Sequence, residues 1–450
     1  MTSRREFLAA SAATLLLPRG ADPARPLPTR AQLEWQRDEL ALFLHFGVNT
    51  FTDREWGDGR EDPAIFSPAQ LDARQWARSA KAGGFRTLIL TAKHHDGFCL
   101  WPTRTTQHSV AASPWRNGEG DLVREFTDAC RAEGLKAGLY LSPWDRHEPR
   151  YGDSPRYNDF YCDQLTELLT RYGRIHEVWF DGANGEGPNG KRQVYDWPRF
   201  WGLVRRLQPS AVMFSDAGPD VRWIGNERGV AGETNWSTMD PAAVPYPGAD
   251  GPGIIRALQQ GDPAGTVWRP GETDVSIRPG WFYHPAEDAR VKATEELVEL
   301  YFTSVGRNSK LLLNVPPTRD GLLHETDAGR LREMRIRLDL IFRNDLAERR
   351  NFSWRTTGPR SAVAELDLGR VVPVGLADLR EDIRQGQRVA RYRLEGSDGT
   401  AWTALTAGST IGYRRLQRFD SRPVRRVRLL VDDAVAPPRP LRIALFSGTT

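Results

Sequence analysis

The stretch LTAKHHDGFCLWPT, residues 90–103, sets His94, His95 and Asp96 side by side at the end of an apolar run. Other reactive side chains end apolar runs in the same manner. His45 closes one, with Glu55 and Trp56 soon after it; Tyr140 opens YLSPWD, which reaches Asp145; Asp181 follows EVWF; Asp216 follows AVMFS. Behind Asp216, the Gly- and Pro-containing stretch DAGPDVRWIGNERG carries Arg222, Trp223 and Glu227, and Glu233, Trp236, Trp281 and Asn314 come later. This mixture of carboxylates, histidines and tryptophans matches hydrolysis at an anomeric carbon. That reaction needs one carboxyl to give a proton, a second kept ionised, and aromatic faces with neutral hydrogen-bonding groups to hold the sugar.

Asp181 is the natural nucleophile, because it caps an apolar run and Gly182 leaves its carboxylate unobstructed. Glu227 is placed to approach from another direction as acid/base, with Glu233 as its competitor. The plainer alternatives are a structural carboxylate at 181 and a solvated loop residue at 227. Adjacent histidines could suggest a metal, but successive strand residues point to opposite faces and no H-x-x-x-H or H-x-H pair supports them. A metal-dependent hydrolase is the runner-up. The preferred reading has no metal and no cofactor, with His94 and His95 bonding substrate hydroxyls.

Elements must bring these residues together. The runs LALFLHF (40–46), RTLILTA (86–92), KAGLYLS (136–142), HEVWF (176–180), AVMFS (211–215) and KLLLNV (310–315) are continuous, as strands buried on both faces are. Between them lie helical faces such as Leu122, Phe126, Ala129 and Cys130. Weaker strand candidates near Val230–Thr234 and Thr273–Ile277 bring the count to eight. Eight such units, with no G-x-G-x-x-G after the first strand, predict an α/β fold: a TIM-like (β/α)8 barrel, closed by a helix over residues 327–343. After the linker NDLAERRNFSW the segments alternate, which predicts an antiparallel β-sandwich. The expected domains are a signal segment over 1–25, the barrel over 26–347 and the sandwich over 348–450.

Composition narrows the class. The 450 residues carry 62 Lys and Arg against 58 Asp and Glu, a net charge of +4 without long basic runs, which excludes a nucleic-acid footprint. Cys99, Cys130 and Cys162 are odd in number and far apart, so they specify no disulfide framework. MTSRREFLAASAATLLLPRGA joins Arg4 and Arg5 to a short apolar stretch and resembles a bacterial twin-arginine export signal, so a periplasmic or extracellular protein is expected. No other stretch is long and apolar enough for a membrane span.

LFLHFG, KHHDGFCLWPT, GLYLSPWD, EVWFDG and LLLNVPPTRDGLLHETD, in this order over residues 40–345, resemble family 29 glycoside hydrolases, the α-L-fucosidases. SDAGPDVRWIGNERGVAGETNWS and DVSIRPGWFYH are more similar to the branch that cleaves α-1,3/1,4-linked fucose. The resemblance implies an exo-acting, retaining hydrolase of fucosylated glycans of the Lewis type. It makes Asp181 the nucleophile of a fucosyl-enzyme and Glu227 the acid/base. It maps the fucose pocket onto His45, Glu55, Trp56, His94, His95 and Tyr140, with Trp281 as an aromatic wall, and leaves Phe46 and Trp281 as candidates for the apolar patch under the 6-methyl group. The C-terminal region resembles a galactose-binding-like sandwich and is read as a buttress ahead of a sugar binder. A lectin that keeps the pocket without turnover is the non-enzymatic alternative.

Overall fold

The computed structural model of the chain describes residues 25–350 and 352–448. The expected export segment lies outside them except for its last position. Five apolar runs become strands close to where they are expected: β1 Leu40–Leu44, β2 Thr87–Lys93, β3 Lys136–Leu141, β4 Glu177–Trp179 and β5 Val212–Ser215. The sixth strand is β6 Val221–Trp223, not the segment near Val230–Thr234, which is irregular. β7 Gly271–Ser276 and β8 Ser309–Asn314 complete a closed parallel barrel in which β8 pairs with β1.

β6 departs from the expected alternation of strand and helix. Only residues 216–220 separate β5 from β6, and Ser215 already pairs with Arg222. Three residues with an arginine in the middle carry no apolar run to read. Arg222 points out of the barrel, fully buried, and donates to Leu258 O at 2.8 Å, Asn235 Oδ1 at 2.8 Å and Trp236 O at 2.9 Å. Burial, with Arg269 nearby, lowers its pKa to about 9. Its bonds to carbonyls offset the burial of the charge.

Helix α1 Arg30–Asp38 presses Trp35 into the barrel, 4.7 Å from Lys310 Nζ. The outer ring comprises α2 Ala73–Ala82, α3 Leu122–Glu133, α4 Ser154–Arg171, α5 Trp197–Leu207, α6 Pro252–Gln260, α7 Thr294–Thr303 and α8 Glu325–Ile341. Asp72, Asp121 and Asp196 cap α2, α3 and α5 by accepting from first-turn amides, which starts each helix beside its strand. Strand alternation separates two cores. Leu42, Leu88 and Leu313 pack outward against the helices, whereas Phe43, Ile89, Tyr140, Trp179 and Phe214 fill the barrel. Removing such a leucine to alanine costs about 2–5 kcal/mol, so these layers hold the strand ends in place. Deep inside, Lys310 Nζ stands 3.1 Å from Glu177 and 4.0 Å from Glu272, which also accepts from Trp179 Nε1 at 3.0 Å.

The C-terminal β-sandwich contains β9 Phe352–Gly358, β10 Ser361–Arg380, β11 Val389–Ser397, β12 Thr403–Gly408, β13 Arg415–Ala434 and β14 Arg442–Phe446, all antiparallel. β10 and β13 pair along most of their length and break register between Asp367 and Val372, where the sheet folds over its own core of Leu366, Val374, Leu394 and Leu429. Buried polar groups tie the sandwich to the barrel. Arg414, held by Asp378 of β10 at 2.8 Å, reaches Glu39 beside β1 at 2.8 Å, and Gln387 Oε1 accepts from Ser237 N at 2.7 Å. Among the described residues no helix is long and apolar enough to cross a membrane.

Candidate active site

The C-terminal mouth of the barrel gathers the residues that the sequence placed after each run. Asp181 stands two residues past β4. Its Oδ1 accepts from Ala183 N at 2.7 Å and its Oδ2 from Tyr140 Oη at 3.0 Å, so the carboxylate is held from two sides. Tyr140 is buried, and burial together with the Asp181 charge raises its pKa well above the usual phenol range. It stays a neutral donor. A Cβ at Gly182 would stand 2.5 Å from Gly248 N and 2.6 Å from Asp216 Oδ2, so the residue after Asp181 has to be glycine for these segments to meet. Asp216 accepts from Gly248 N at 2.8 Å. Burial, offset in part by that amide and reinforced by Asp181, pushes its pKa to about 6.

The facing wall is made of histidines. His45, just past β1, bonds through Nδ1 to Asn314 Oδ1 at 2.8 Å, and Asn314 donates through Nδ2 to Ser276 Oγ at 3.0 Å and Trp281 O at 2.8 Å. Asn314 Oδ1 is therefore the acceptor, His45 Nδ1 carries the proton, and His45 Nε2 is a lone pair. The same reasoning applies to His95. Ser142 Oγ donates to Trp144 O at 2.6 Å and meets His95 Nδ1 at 2.7 Å, so His95 Nδ1 donates and its Nε2 is an acceptor. Between them, the His94 ring lies 4.1 Å from that of His95 and stacks on Tyr140 at 5.8 Å and 19°. Its buried Nδ1 has no hydrogen-bond partner among the described residues. Burial lowers the pKa of His45 to about 3, that of His94 well below the usual value, and that of His95 in the same direction. Neutral imidazoles suit hydroxyl recognition and not proton transfer to a leaving group.

β2 ends at Lys93, so strand alternation does not extend to His94 and His95, and both rings share one face. The expectation of opposite faces is corrected on this point. Among the described residues, no group of three or more His, Cys, Asp or Glu side chains is arranged to hold a metal ion. Beneath the histidines, Lys93 Nζ meets Asp145 Oδ2 at 2.8 Å with both groups buried. Burial opposes ionisation of Asp145, but Lys93 and the amides of His147 and Glu148 outweigh it and lower its pKa. Asp96 accepts from Asn49 Nδ2 at 3.0 Å and Phe98 N at 2.7 Å, and so braces the turn instead of facing the pocket opening.

Glu227 rises from the loop after β6. Burial, followed by the Asp181 charge, raises its pKa, although the neighbouring Trp281 side chain acts in the opposite direction. Glu55 fixes the Trp281 loop: it accepts from Trp281 N and lies 2.9 Å from His284 Nε2. Trp56 is 57% exposed at the rim, edge-on to His95 at 6.1 Å and to Trp144 at 5.9 Å.

Two expectations are overturned. Phe46 is buried among Phe51, Phe66 and Trp76 in the outer core, because the residue after His45 turns away from the pocket. Phe282 takes its place, edge-on to His45 at 5.5 Å and His94 at 5.0 Å. Glu233 is turned toward the sandwich, paired with Arg307 and with Arg415 at 2.6 Å, and cannot compete with Glu227. Sequence reasoning included Ser142 only within the stretch Tyr140–Asp145 without singling it out, and missed Phe282, the neighbour of Trp281 in WFYH.

Comparison with known proteins agrees with this geometry. The family profile described as Alpha-L-fucosidase matches residues 60–338. The putative alpha-L-fucosidase 1 of Oryza sativa subsp. japonica is 46% identical over 443 residues, spanning 92% of this chain and 84% of that protein. A putative alpha-L-fucosidase from Bacteroides ovatus superposes with a TM-score of 0.85 at 48% identity, covering 95% of this chain and 75% of the other. A Ruminococcus gnavus GH29 fucosidase solved in complex with fucose superposes with a TM-score of 0.83 at 31% identity, covering 95% and 97%.

Proposed function

Because this chain belongs to the α-L-fucosidase family, glycoside hydrolase family 29, and is an α-L-fucosidase, we propose that it acts by retention, through Asp181 as nucleophile and Glu227 as acid/base. The observation that carries this reading is the placing of the two carboxyls. Asp181, just past β4, is clamped by Tyr140 of β3 and by Ala183 N, whereas Glu227 stands on a separate loop, within electrostatic reach of Asp181 and with its proton affinity raised.

In the first half-reaction Asp181 attacks the anomeric carbon while Glu227 passes its proton to the glycosidic oxygen. The carbon–oxygen bond to the leaving group breaks as the ester bond to Asp181 forms. In the second, Glu227, now ionised, takes a proton from water; the water oxygen attacks the same carbon and Asp181 departs. The lone pairs on Nε2 of His45 and His95 accept from fucose hydroxyls, and His94 faces the same sugar. Phe282 and Trp281 offer the apolar faces that a 6-methyl group needs. Exo action, the release of one terminal fucose, belongs to the same reading and rests on the family resemblance.

The preference for α-1,3/1,4-linked fucose on Lewis-type glycans rests on the motifs at residues 215–237 and 274–284. Incubation with fucosylated oligosaccharides of each linkage tests it, and proton NMR of the first-formed sugar tests retention: α-L-fucose must appear before its β anomer. Export to the periplasm or beyond rests on the twin-arginine order Ser3–Leu8. Cell fractionation of the full chain, with Arg4 and Arg5 replaced by lysine in a parallel strain, tests that inference.

A further inference from the structure

β7 reaches the Glu227 loop at both of its ends through one residue. The side chains of β7 alternate, with Val275 in the outer core and Glu272 and Asp274 turned into the barrel. The Asp274 carboxyl accepts from Trp223 Nε1 at 2.8 Å, and the Asp274 carbonyl accepts from Gly229 N at 3.0 Å. Gly229 has φ +69°, a conformation that glycine adopts freely, so the loop can turn back onto the strand there. Ile224 N bonds Glu272 O at 3.0 Å beside them. Residues 223, 224 and 229 are thus fixed to β7, and Asn226 closes the span by bonding Val230 O at 2.8 Å and Arg228 N at 3.1 Å. Glu227 stands at the tip of this clamp.

We propose that Asp274 is the positioning residue of the acid/base: its carboxyl holds Trp223, and through it the near end of the loop, so that Glu227 meets the leaving-group oxygen at the right place. The proposal rests on Glu227 being the acid/base. Asp274 is 5% exposed, and the ionisable groups that face it are Glu227 from the β6 loop and Asp216 from the end of β5. Burial and then the Glu227 charge raise its pKa well above the carboxylate range, so the group that β7 presents is a neutral acid. It adds no repulsion to a Glu227 that has just given up its proton.

A merely structural carboxyl and a positioning one differ in what they do to substrates with different leaving groups. Protonation by Glu227 matters most for a sugar leaving group and least for an activated phenol. Asp274→Ala should lose about 30-fold in kcat/KM on a fucosylated oligosaccharide but no more than about threefold on an activated aryl fucoside. Asp274→Asn, which keeps a neutral acceptor for Trp223, should recover most of the loss. Should Asp274→Ala not fold, Trp223→Phe deletes the other partner of the same bond and should give the same split. Equal losses on both substrates overturn the positioning role. Glu227→Ala is measured in parallel. If it loses equally on both substrates, the acid/base assignment itself fails; if it discriminates while Asp274→Ala and Trp223→Phe do not, only the positioning role falls.

Discussion

Tyr140 Oη donates to Asp181 Oδ2 across 3.0 Å, from the strand adjacent to the one that Asp181 ends. This bond favours the carboxylate in the resting enzyme and must weaken as Asp181 becomes an ester. It is also the main constraint on which way the Oδ2 lone pairs point. Tyr140→Phe frees that orientation, so it should keep the fold and lower kcat/KM by about 10-fold through lost alignment of the attacking oxygen. Steady-state kinetics on an aryl fucoside check this; an unchanged rate would mean that Ala183 N alone holds the carboxylate.

The pH profile follows from Glu227. As acid it must be protonated in the free enzyme, so kcat/KM falls as pH rises through its pKa. Burial and Asp181 raise that pKa, so the basic limb should lie above the ordinary glutamate range. Asp181→Asn removes the second of these causes, and an added anionic nucleophile can then supply residual turnover. Under those conditions the basic limb should move to lower pH. A limb that stays in place would remove Asp181 as a cause of the shift.

Asp216 couples the site to stability. Its folded pKa of about 6 lies above the value near 4 of an unfolded aspartate, so the native state binds more protons between these values. The contribution is fully present below about pH 4 and is lost as pH rises through about 6. Asp216→Asn keeps an acceptor for Gly248 N and removes the titration. The stability of wild type relative to this variant, from denaturant unfolding, should fall between pH 4 and 6 and be flat above pH 7; a difference that rises over that window would contradict the assignment.

Lys93 and Asp145 form a buried ion pair under the histidine wall. Lys93→Met leaves Asp145 charged and without its cation, which costs about 3–5 kcal/mol in comparable pairs. The expected result is a lower unfolding midpoint together with weaker fucose binding, because His95 and the turn after it rest on this pair. Calorimetry and fucose titration check both; a loss under about 1 kcal/mol would show that water or rearrangement screens Asp145.

The legible parts of the molecule are those where one physical rule acts alone. A continuous apolar run is buried on both faces, and in a parallel barrel the residues just past the strand face the mouth; this put Asp181 and His45 at the mouth, whereas Tyr140 lies inside β3 and reaches the mouth only through its hydroxyl. β6 was not legible, because it has three residues, an arginine at its centre and no helix before it, and only its pairing to β5 and β7 makes it a strand. The irregular segment mistaken for it put Glu233 near the mouth, whereas Arg307 and Arg415 draw that carboxylate to the sandwich. Arg415 lies in the other domain, far away in sequence. Phe46 and Phe282 were exchanged for a related reason: which phenylalanine faces a pocket depends on where the strand stops, and β1 stops at Leu44. Asp274 gave no signal as a partner of Glu227, since its effect runs through Trp223 and Gly229, which approach it only once the barrel is closed.

Covalent labelling tests directly whether Asp181 is the residue that bonds to fucose. A 2-fluoro-substituted fucosyl fluoride slows hydrolysis of the intermediate more than its formation and so traps it. After digestion of the full-length enzyme and mass spectrometry of the peptides, one fluorofucosyl group is expected on the Asp181 carboxylate, with activity lost in proportion to labelling. A label on Glu227, Asp216 or any other residue, or undiminished activity with no label at all, would contradict it.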